Sequence, residues 1–270
     1  MMQQIDSLRQ LDSPRQSVLQ RYSRQQILPG IGEEGQRKLG QSHVLILGCG
    51  ALGCLTASAL IRAGVGRLRL VDRGVVALHN LQRQILYDEA DARMGLAKAV
   101  AAESSLKEVN HQVRVEGIVA NFSSGNALAL VEGVDLALDG LDNYESRFLL
   151  NDVAWKTGIP WIYGAAVGTV GLTATFLPHQ TPCFRCLHPE LPPPDTILDC
   201  TVAGVINAVP WMVAAIQAAE AVKLLVGDPS LNKGLLLVDP WNHNYEKIAL
   251  ATRANCLTCR GRYSFLDGPL

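Results

Sequence analysis

Apolar residues along this chain fall into short unbroken runs separated by amphipathic stretches, the pattern of buried parallel strands alternating with helices. Val44–Leu47 is such a run, Arg67–Val71 reads as the second strand, and the segment between them reads as a glycine turn followed by a helix. Ala92–Val109 reads as an Ala-rich helix, Gln112–Val119 alternates like a strand, and Ser123–Val131 reads as a short helix with Ser123 as its cap. Val134–Leu138 is an apolar strand entering DGLDN (139–143). Tyr144–Thr157 is a helix that Gly158 would end, and Pro160–Ala165 is another strand. This order predicts a doubly wound α/β sheet. The pattern then changes. Gly171–Leu177, Gly234–Asp239 and Tyr245–Leu250 read as strands outside the alternation, expected to add antiparallel strands to the same sheet. Between them lie a proline-rich loop, 179–201, and a long apolar segment, Ala203–Val226. Before the first strand, Arg21–Gln41 is charged, broken by Pro29–Gly30 and helical from about Gly32, a cap on the sheet. Residues 1–20 read as a polar tail and 21–270 as a single domain.

The connection after the first strand is the most specific local signal. Gly48, Gly50 and Gly53 stand at G-x-G-x-x-G spacing, the dinucleotide-type turn of a Rossmann-like sheet. The first allows a tight turn, the second lets a phosphate approach the backbone, and the third lets helix and strand pack closely. The helix start then offers free N–H groups to an anion. Asp72 ends the second strand 19 residues after Gly53, where a carboxylate can bind ribose hydroxyls.

Composition narrows the partners. The chain has 270 residues, 48% of them hydrophobic, and a net charge of −1, which argues against broad binding to nucleic acid or a membrane surface. No apolar signal segment precedes residue 20, and a cytoplasmic location is expected. Ala203–Val226 carries Asn207, Pro210, Gln217, Glu220 and Lys223, costly in lipid, so a core or subunit-interface helix is the expectation. A helix apolar on most sides needs cover on most sides, which points to a homodimer.

Two cysteine pairs carry the clearest metal signal. Cys183-x-x-Cys186 and Cys256-x-x-Cys259 suit a closed tetrahedral zinc site, with 69 residues between the pairs. Such a site clips two distant segments and has no open position for substrate. Cys200 stands apart, just before the long apolar helix, where a helix start would favour a thiolate nucleophile. Cys49 and Cys54 read as packing residues, and His79, His188 and His243 as structural. Arg24, Arg83 and Lys98 are candidate phosphate ligands. Asp142, at the end of the fourth strand, shares the carboxyl edge of the sheet with Asp72 and suits Mg²⁺.

In this order, RYSRQ (21–25), GCGALG (48–53), Asp72, NLQRQ (80–84), Lys98, DGLDN (139–143), CFRC (183–186), DCTVAGV (199–205) and CLTC (256–259) resemble the MoeB/ThiF/HesA group of E1-like adenylating enzymes. The resemblance covers about residues 21–260. It implies ATP-dependent adenylylation of the C-terminal glycine of a ubiquitin-fold sulfur-carrier protein ending in Gly-Gly, with pyrophosphate as leaving group. It also implies Asp72 on the ribose, with Asn80, Arg83, Gln84 and Lys98 along the phosphates. Asp142 would then hold Mg²⁺, Arg24 would reach ATP from the partner subunit, and Cys200 would form a thioester or persulfide link to the carrier. Gly74 departs from the group, many of whose members place a second acid there. With no rhodanese-like domain after residue 260, a separate sulfur donor is implied. Other readings are adenylylation of a peptide, a tRNA base or a small acid, an NAD-dependent oxidoreductase permitted by the glycine turn, and an inactive dimeric scaffold.

Overall fold

The computed structural model describes residues 14–193 and 202–268. Its centre is an eight-stranded sheet. The strands are β1 (His43–Leu47), β2 (Arg67–Val71), β3 (Arg114–Ile118), β4 (Leu136–Asp139), β5 (Trp161–Val167), β6 (Val170–Phe176), β7 (Leu235–Asp239) and β8 (Asn244–Ile248). They lie in the order β3-β2-β1-β4-β5-β6-β7-β8. The first five are parallel, and β6, β7 and β8 join antiparallel, as the change in the hydrophobic pattern predicts.

Both faces of the parallel half are covered, which is why its strands read as continuous apolar runs. On one face Val44, Ile46, Leu68, Leu70 and Leu138 pack beneath α3 (Ala51–Ala63), α5 (Lys98–Val109) and α9 (Ala208–Val226). On the other, Leu45, Leu47, Ala137 and Tyr163 pack beneath α6 (Ala127–Val131), α7 (Tyr144–Thr157) and the cysteine-bearing segments, the first of which forms the short α8 (Phe184–Leu187). The N-terminal cap is α1 (Pro14–Gln26) and α2 (Gly32–Gln41), with Leu39 buried against the first of these cores. α1 runs back across the expected boundary at residue 20.

Element limits differ from the sequence pattern where a glycine or a cap decides them. The expected helix Ala92–Val109 is two helices, α4 (Glu89–Met94) and α5, because Gly95 ends the first in a left-handed conformation. Ser123 does not cap α6 with its side chain. It forms a turn in which its N–H donates to Asn126 Oδ1. The long apolar helix begins at Ala208, not near Ala203. By length and composition, α9 is the one helix among the described residues able to cross a membrane. In the fold, Gln217 is buried and donates to the carbonyls of Asp139 and Ile162, and Glu220 is buried and accepts from Thr175 and Asn232.

Candidate nucleotide edge and cysteine cluster

Register brings the candidate groups of the glycine turn together. Leu47 lies beside Val71 on one side and Asp139 on the other, so Gly48, Asp72 and Gly140 leave the sheet side by side. This is the carboxyl edge where open α/β sheets bind ligands. Gly48 has φ +90°, and a methyl there would meet the Gly140 carbonyl oxygen at 2.3 Å. A methyl on Gly53 would lie 1.9 Å from the Gly48 carbonyl oxygen. Gly50 is different. Its φ is −82°, and the nearest atom to an added methyl is the Gly140 oxygen at 3.9 Å. Two glycines thus serve the fold, and the third keeps space open at the start of α3.

Asp72 stiffens this turn from the neighbouring strand. One carboxylate oxygen accepts the Cys49 N–H at 2.7 Å and the other the Gly74 N–H at 2.6 Å. The Gly74 carbonyl accepts the Lys98 N–H at 2.9 Å. The Tyr87 hydroxyl reaches the carbonyls of Cys49 and Lys98 at 2.8 and 3.2 Å. The glycine turn, Asp72, Gly74 and Lys98 are therefore one hydrogen-bonded unit. A side chain at Gly74 would start 3.1 Å from an Asp72 oxygen and 3.7 Å from Lys98 Cδ, so Lys98 passes close beside this position.

The NLQRQ segment folds into a compact turn beside that unit. Asn80 is buried, and its carboxamide oxygen accepts the Ala77 N–H at 3.1 Å, so it shapes the turn. Arg83 is half-buried and donates one guanidinium N–H to the His79 carbonyl at 3.0 Å. Gln84 is buried, and its carboxamide oxygen has no hydrogen-bond partner among the described residues.

Asp142 lies beyond β4, exposed, and among the described residues it accepts one hydrogen bond, from the neighbouring Asn143 carboxamide at 3.0 Å. The loop that presents it is fixed by groups the sequence pattern did not single out. Asp139, buried at the end of β4, pairs with the buried Arg147 at 2.9 Å and accepts the Leu141 N–H at 2.8 Å. Burial raises its carboxyl above the ordinary value, against the pull of Arg147 and the Leu141 and Gly164 amides. The one sequence signal was the acid at the end of an apolar strand with an arginine eight residues on, in the first turns of α7. An exposed carboxylate on a rigid loop at the phosphate edge has the hard-oxygen chemistry that Mg²⁺ takes.

Arg24 is not part of this edge within one chain. It is exposed on α1, which is pinned by Gln25 donating to the Ala63 carbonyl at 3.0 Å and by Asn110 donating to the Tyr22 hydroxyl at 2.8 Å. Ala63 ends α3, and the glycine turn precedes its start. The 13 residues of α3 span about 20 Å, so Arg24 sits at the opposite end of that helix.

Cys200 lies outside the described residues. The argument from a helix start does not hold for it, because α9 begins eight residues later and the effect of a helix end fades within one turn. Cys49 and Cys54 are buried, and burial pushes the Cys54 thiol up to about 12, so both pack rather than react. His79 and His243 are exposed. His188 packs edge-on to Tyr144 and tilted against Phe184, with burial drawing its ring down to about 4.

At the far side of the sheet the two cysteine pairs meet. The four Sγ atoms of Cys183, Cys186, Cys256 and Cys259 lie within 4.8 Å of one another. Hydrogen bonding from Cys183 draws the Cys259 thiol down to about 5, while burial raises Cys256 to about 11. A cation that binds these sulfurs as thiolates displaces the thiol protons as it binds. Four thiolates this close match the closed tetrahedral donor set of structural zinc. The Arg253 N–H points at Cys186 Sγ at 3.4 Å, a supporting contact of the kind metal thiolates receive. Around the cluster, the buried Asp152 of α7 accepts from the Thr258 hydroxyl at 2.6 Å and the Phe265 N–H at 2.9 Å. Phe148 and Phe265 stack with ring centroids 4.9 Å apart, and the Arg185 guanidinium lies beside both rings, 5.3 and 5.4 Å from their centroids.

With this geometry in view, comparison with known proteins is informative. Residues 22–259 match the model of the ThiF family. The chain is 40% identical over 241 residues to the sulfur carrier protein ThiS adenylyltransferase of Bacillus subtilis, covering 88% of this chain and 71% of that protein. It is 39% identical to the sulfur carrier protein adenylyltransferase of Thermus thermophilus, covering 89% of this chain and 90% of the relative. It matches the adenylyltransferase and sulfurtransferase MOCS3 of Xenopus laevis at 36% identity, spanning 53% of that longer protein. Among solved structures, E. coli MccB with ATP shares the fold at a TM-score of 0.75 and 23% identity, covering 89% of this chain and 74% of that one. By sequence along nearly its whole described length, and by the sheet, glycine turn and cysteine cluster that length builds, the chain belongs to the ThiF family.

Proposed function

We propose that this chain uses ATP to adenylylate the C-terminal glycine carboxylate of a ubiquitin-fold sulfur-carrier protein. The observation that carries the reading is the single edge on which Gly48, Gly50, Asp72, Lys98 and the Asp142 loop converge, in a chain 39–40% identical to carrier adenylyltransferases. The open space at Gly50 and the N–H groups at the start of α3 receive phosphate oxygens. Asp72 is close to the ribose, and Lys98 and Arg83 supply positive charge along the phosphates. Asp142 would hold Mg²⁺, which screens phosphate charge when bound. The carrier carboxylate oxygen then bonds to the α-phosphorus as the bond to the bridging oxygen breaks. Pyrophosphate leaves, its developing charge met by fixed cations. The four-cysteine cluster takes zinc in a structural role. The Cys200 thiolate attacks the acyl carbon afterwards, forming a thioester as AMP leaves, and the sulfur of a separate donor then attacks that carbon and releases the Cys200 thiolate.

Arg24 completes the site in a homodimer. Its position at the far end of α3 suits a contribution to a second copy's site rather than its own. An apolar groove lined by Leu28, Ile31, Ala59, Ala63, Val222 and Val226 lies at that same end. Along α9 the exposed Ala215 and Ala219 leave room for close approach of another helix.

The test is ATP–pyrophosphate exchange with Mg²⁺ and a panel of Gly-Gly-ending ubiquitin-fold proteins. Exchange is expected with at least one carrier, to fall at least ~100-fold in Asp142→Ala, as losing a key charge-stabilising group does, and to persist in Cys200→Ala. Mixing Arg24→Ala with Asp142→Ala subunits tests the shared site. Each variant alone is expected to exchange far below wild type. Random re-pairing leaves about a quarter of the sites with both groups intact, if Arg24 acts across a twofold dimer. Exchange supported by a peptide, a tRNA or a small acid, and by no carrier, would overturn the substrate assignment.

A further inference from the structure

The loop that carries Arg83 is held together mainly by its own atoms. The N–H groups of Arg83 and Gln84 both reach the Asn80 carbonyl, at 3.1 and 3.0 Å, and Asn80 and His79 accept the other bonds of the turn. Among the described residues, one hydrogen bond joins residues 78–84 to another element. The indole N–H of Trp211 donates to the Arg83 carbonyl at 3.1 Å, across 128 positions of sequence. Trp211 stands in the first turn of α9, and that turn does not move freely. Pro210, Val209 and Val213 beside it are buried, and a methyl on Gly171 of β6 would meet Val213 at 2.3 Å and Val209 at 3.2 Å. Met212, next in sequence, receives the Tyr245 hydroxyl from β8 at 3.8 Å. The donor is therefore mounted on a rigid helix start, and the acceptor is the backbone of a residue whose guanidinium has donors to spare. An indole has one polar atom, a donor, and here that atom is spent on Arg83 although the ring is 38% exposed.

We infer that Trp211 is a positioning residue for adenylylation, fixing the Arg83 backbone so that the guanidinium is held towards the phosphates. This rests on the reading of Arg83 proposed above, but the contact itself does not. Through the same helix start, Trp211 links Arg83 to residues 202–207. These are bonded to the turn between β5 and β6 by the Gly168 N–H to the Gly204 carbonyl at 2.9 Å and the Ile206 N–H to the Gly168 carbonyl at 3.1 Å. The chain arriving from Cys200 and the phosphate loop therefore share one anchor.

The test is Trp211→Phe, which keeps an aromatic ring and removes the donor. In carrier-dependent pyrophosphate exchange, kcat should fall about 3- to 10-fold, the scale of one neutral hydrogen bond. KM for ATP, thermal midpoint and dimer content should stay unchanged. In an Arg83→Ala background the same substitution should cost nothing more, because its effect passes through Arg83. Equal losses in both backgrounds, or a loss that tracks the midpoint or dimer content, would overturn the inference. A second readout does not depend on the reaction. Hydrogen exchange of residues 78–86 in the nucleotide-free protein should quicken by a similar factor in Trp211→Phe. Unchanged exchange there would sink the positioning role even if adenylylation stands. Faster exchange with no adenylylation by the wild type would keep the anchor and reject the reaction.

Discussion

At the glycine turn the groups that matter sit at or just beyond strand ends and are held through the backbone: Gly48 packs against Gly140, Gly53 against Gly48, and the Cys49 N–H is held by the Asp72 carboxylate. At the cysteine cluster the ligands come from segments about 70 residues apart, and side chains do the holding: four sulfurs, Asp152 on Thr258, Arg185 beside two stacked phenylalanines. The first is geometry that a methyl group destroys and no ion is needed to form. The second is a junction whose thiols repel as anions and need a cation to close. One region is the proposed nucleotide edge and the other holds the C-terminal segment on α7, so damage to each should have a different signature.

The largest effect should come from breaking the junction. Cys256→Ser leaves three thiols around a buried gap. Bound zinc, measured by atomic absorption, should fall from one per chain to well below one. In small zinc domains the ion contributes on the order of 10 kcal/mol to folding. Here the loss should be smaller, because Asp152 and the stacked Phe148 and Phe265 still hold the segment, yet larger than that of any other variant considered. ATP binding below the melting transition should survive, since no cysteine ligand touches the glycine turn. Simultaneous loss of ATP affinity in the folded variant would show that the two regions are not independent.

A smaller and more local effect separates the glycines from one another. Gly53→Ala drives a methyl into the Gly48 carbonyl at 1.9 Å, backbone against side chain, with no flexible group to give way. The cost should be about 3 kcal/mol, the upper part of the overpacking range. For a chain of this size that lowers the thermal midpoint by roughly 6–12 °C. Gly50→Ala meets nothing closer than 3.9 Å at an ordinary φ. The midpoint should stay within about 2 °C of wild type, since no named mechanism of destabilisation applies, while ATP affinity falls. If both variants lose stability equally, the assignment of Gly50 to ligand space fails.

The same contrast explains what the sequence disclosed. The glycine turn, Asp72 and the parallel strands are legible because their chemistry is local and the spacing itself encodes the contacts. The antiparallel strands are legible because the hydrophobic period breaks where helices stop alternating. The cysteine pairs are legible as pairs, though only the fold places Asp152 beneath them. What was not legible depends on distant partners. Asp139 and Arg147 close a buried ion pair, and Trp211 reaches Arg83 across 128 positions, with no periodicity to announce either. Helix limits slipped where one residue overrides propensity. The left-handed Gly95 splits α4 from α5, and α9 starts five residues later than its apolar run because residues 202–207 bond to the turn after β5 instead. Arg24 was legible as a motif residue, but its place at the far end of α3 follows only from the packing of α1.

The smallest effect sharpens the comparison from within the nucleotide half, at a part of it that is not built of backbone contacts. On β3, Glu116 accepts from Arg67 at 2.9 Å and Arg69 at 3.2 Å, both on β2, tying the outermost pair of strands together through side chains. The hydrogen bond from Arg67, with help from Arg69, holds the Glu116 carboxyl below its ordinary 4.5. A carboxyl depressed in the folded state adds stability above its unfolded value, and that contribution is lost as pH falls through the folded value. Glu116→Gln should therefore destabilise by under about 1 kcal/mol at neutral pH, since Glu116 is a third exposed and solvent screens the pair. The difference from wild type should shrink below pH 4.5, a point read from urea denaturation at stepped pH. ATP binding should be unaffected, because the strand ends beyond Val71 are set by Asp72 and the glycine turn, not by this pair. A difference that stays constant down to pH 3, or a loss of ATP affinity, would mean that the sheet edge at β3 is coupled to the site more tightly than the contacts of the glycine turn imply.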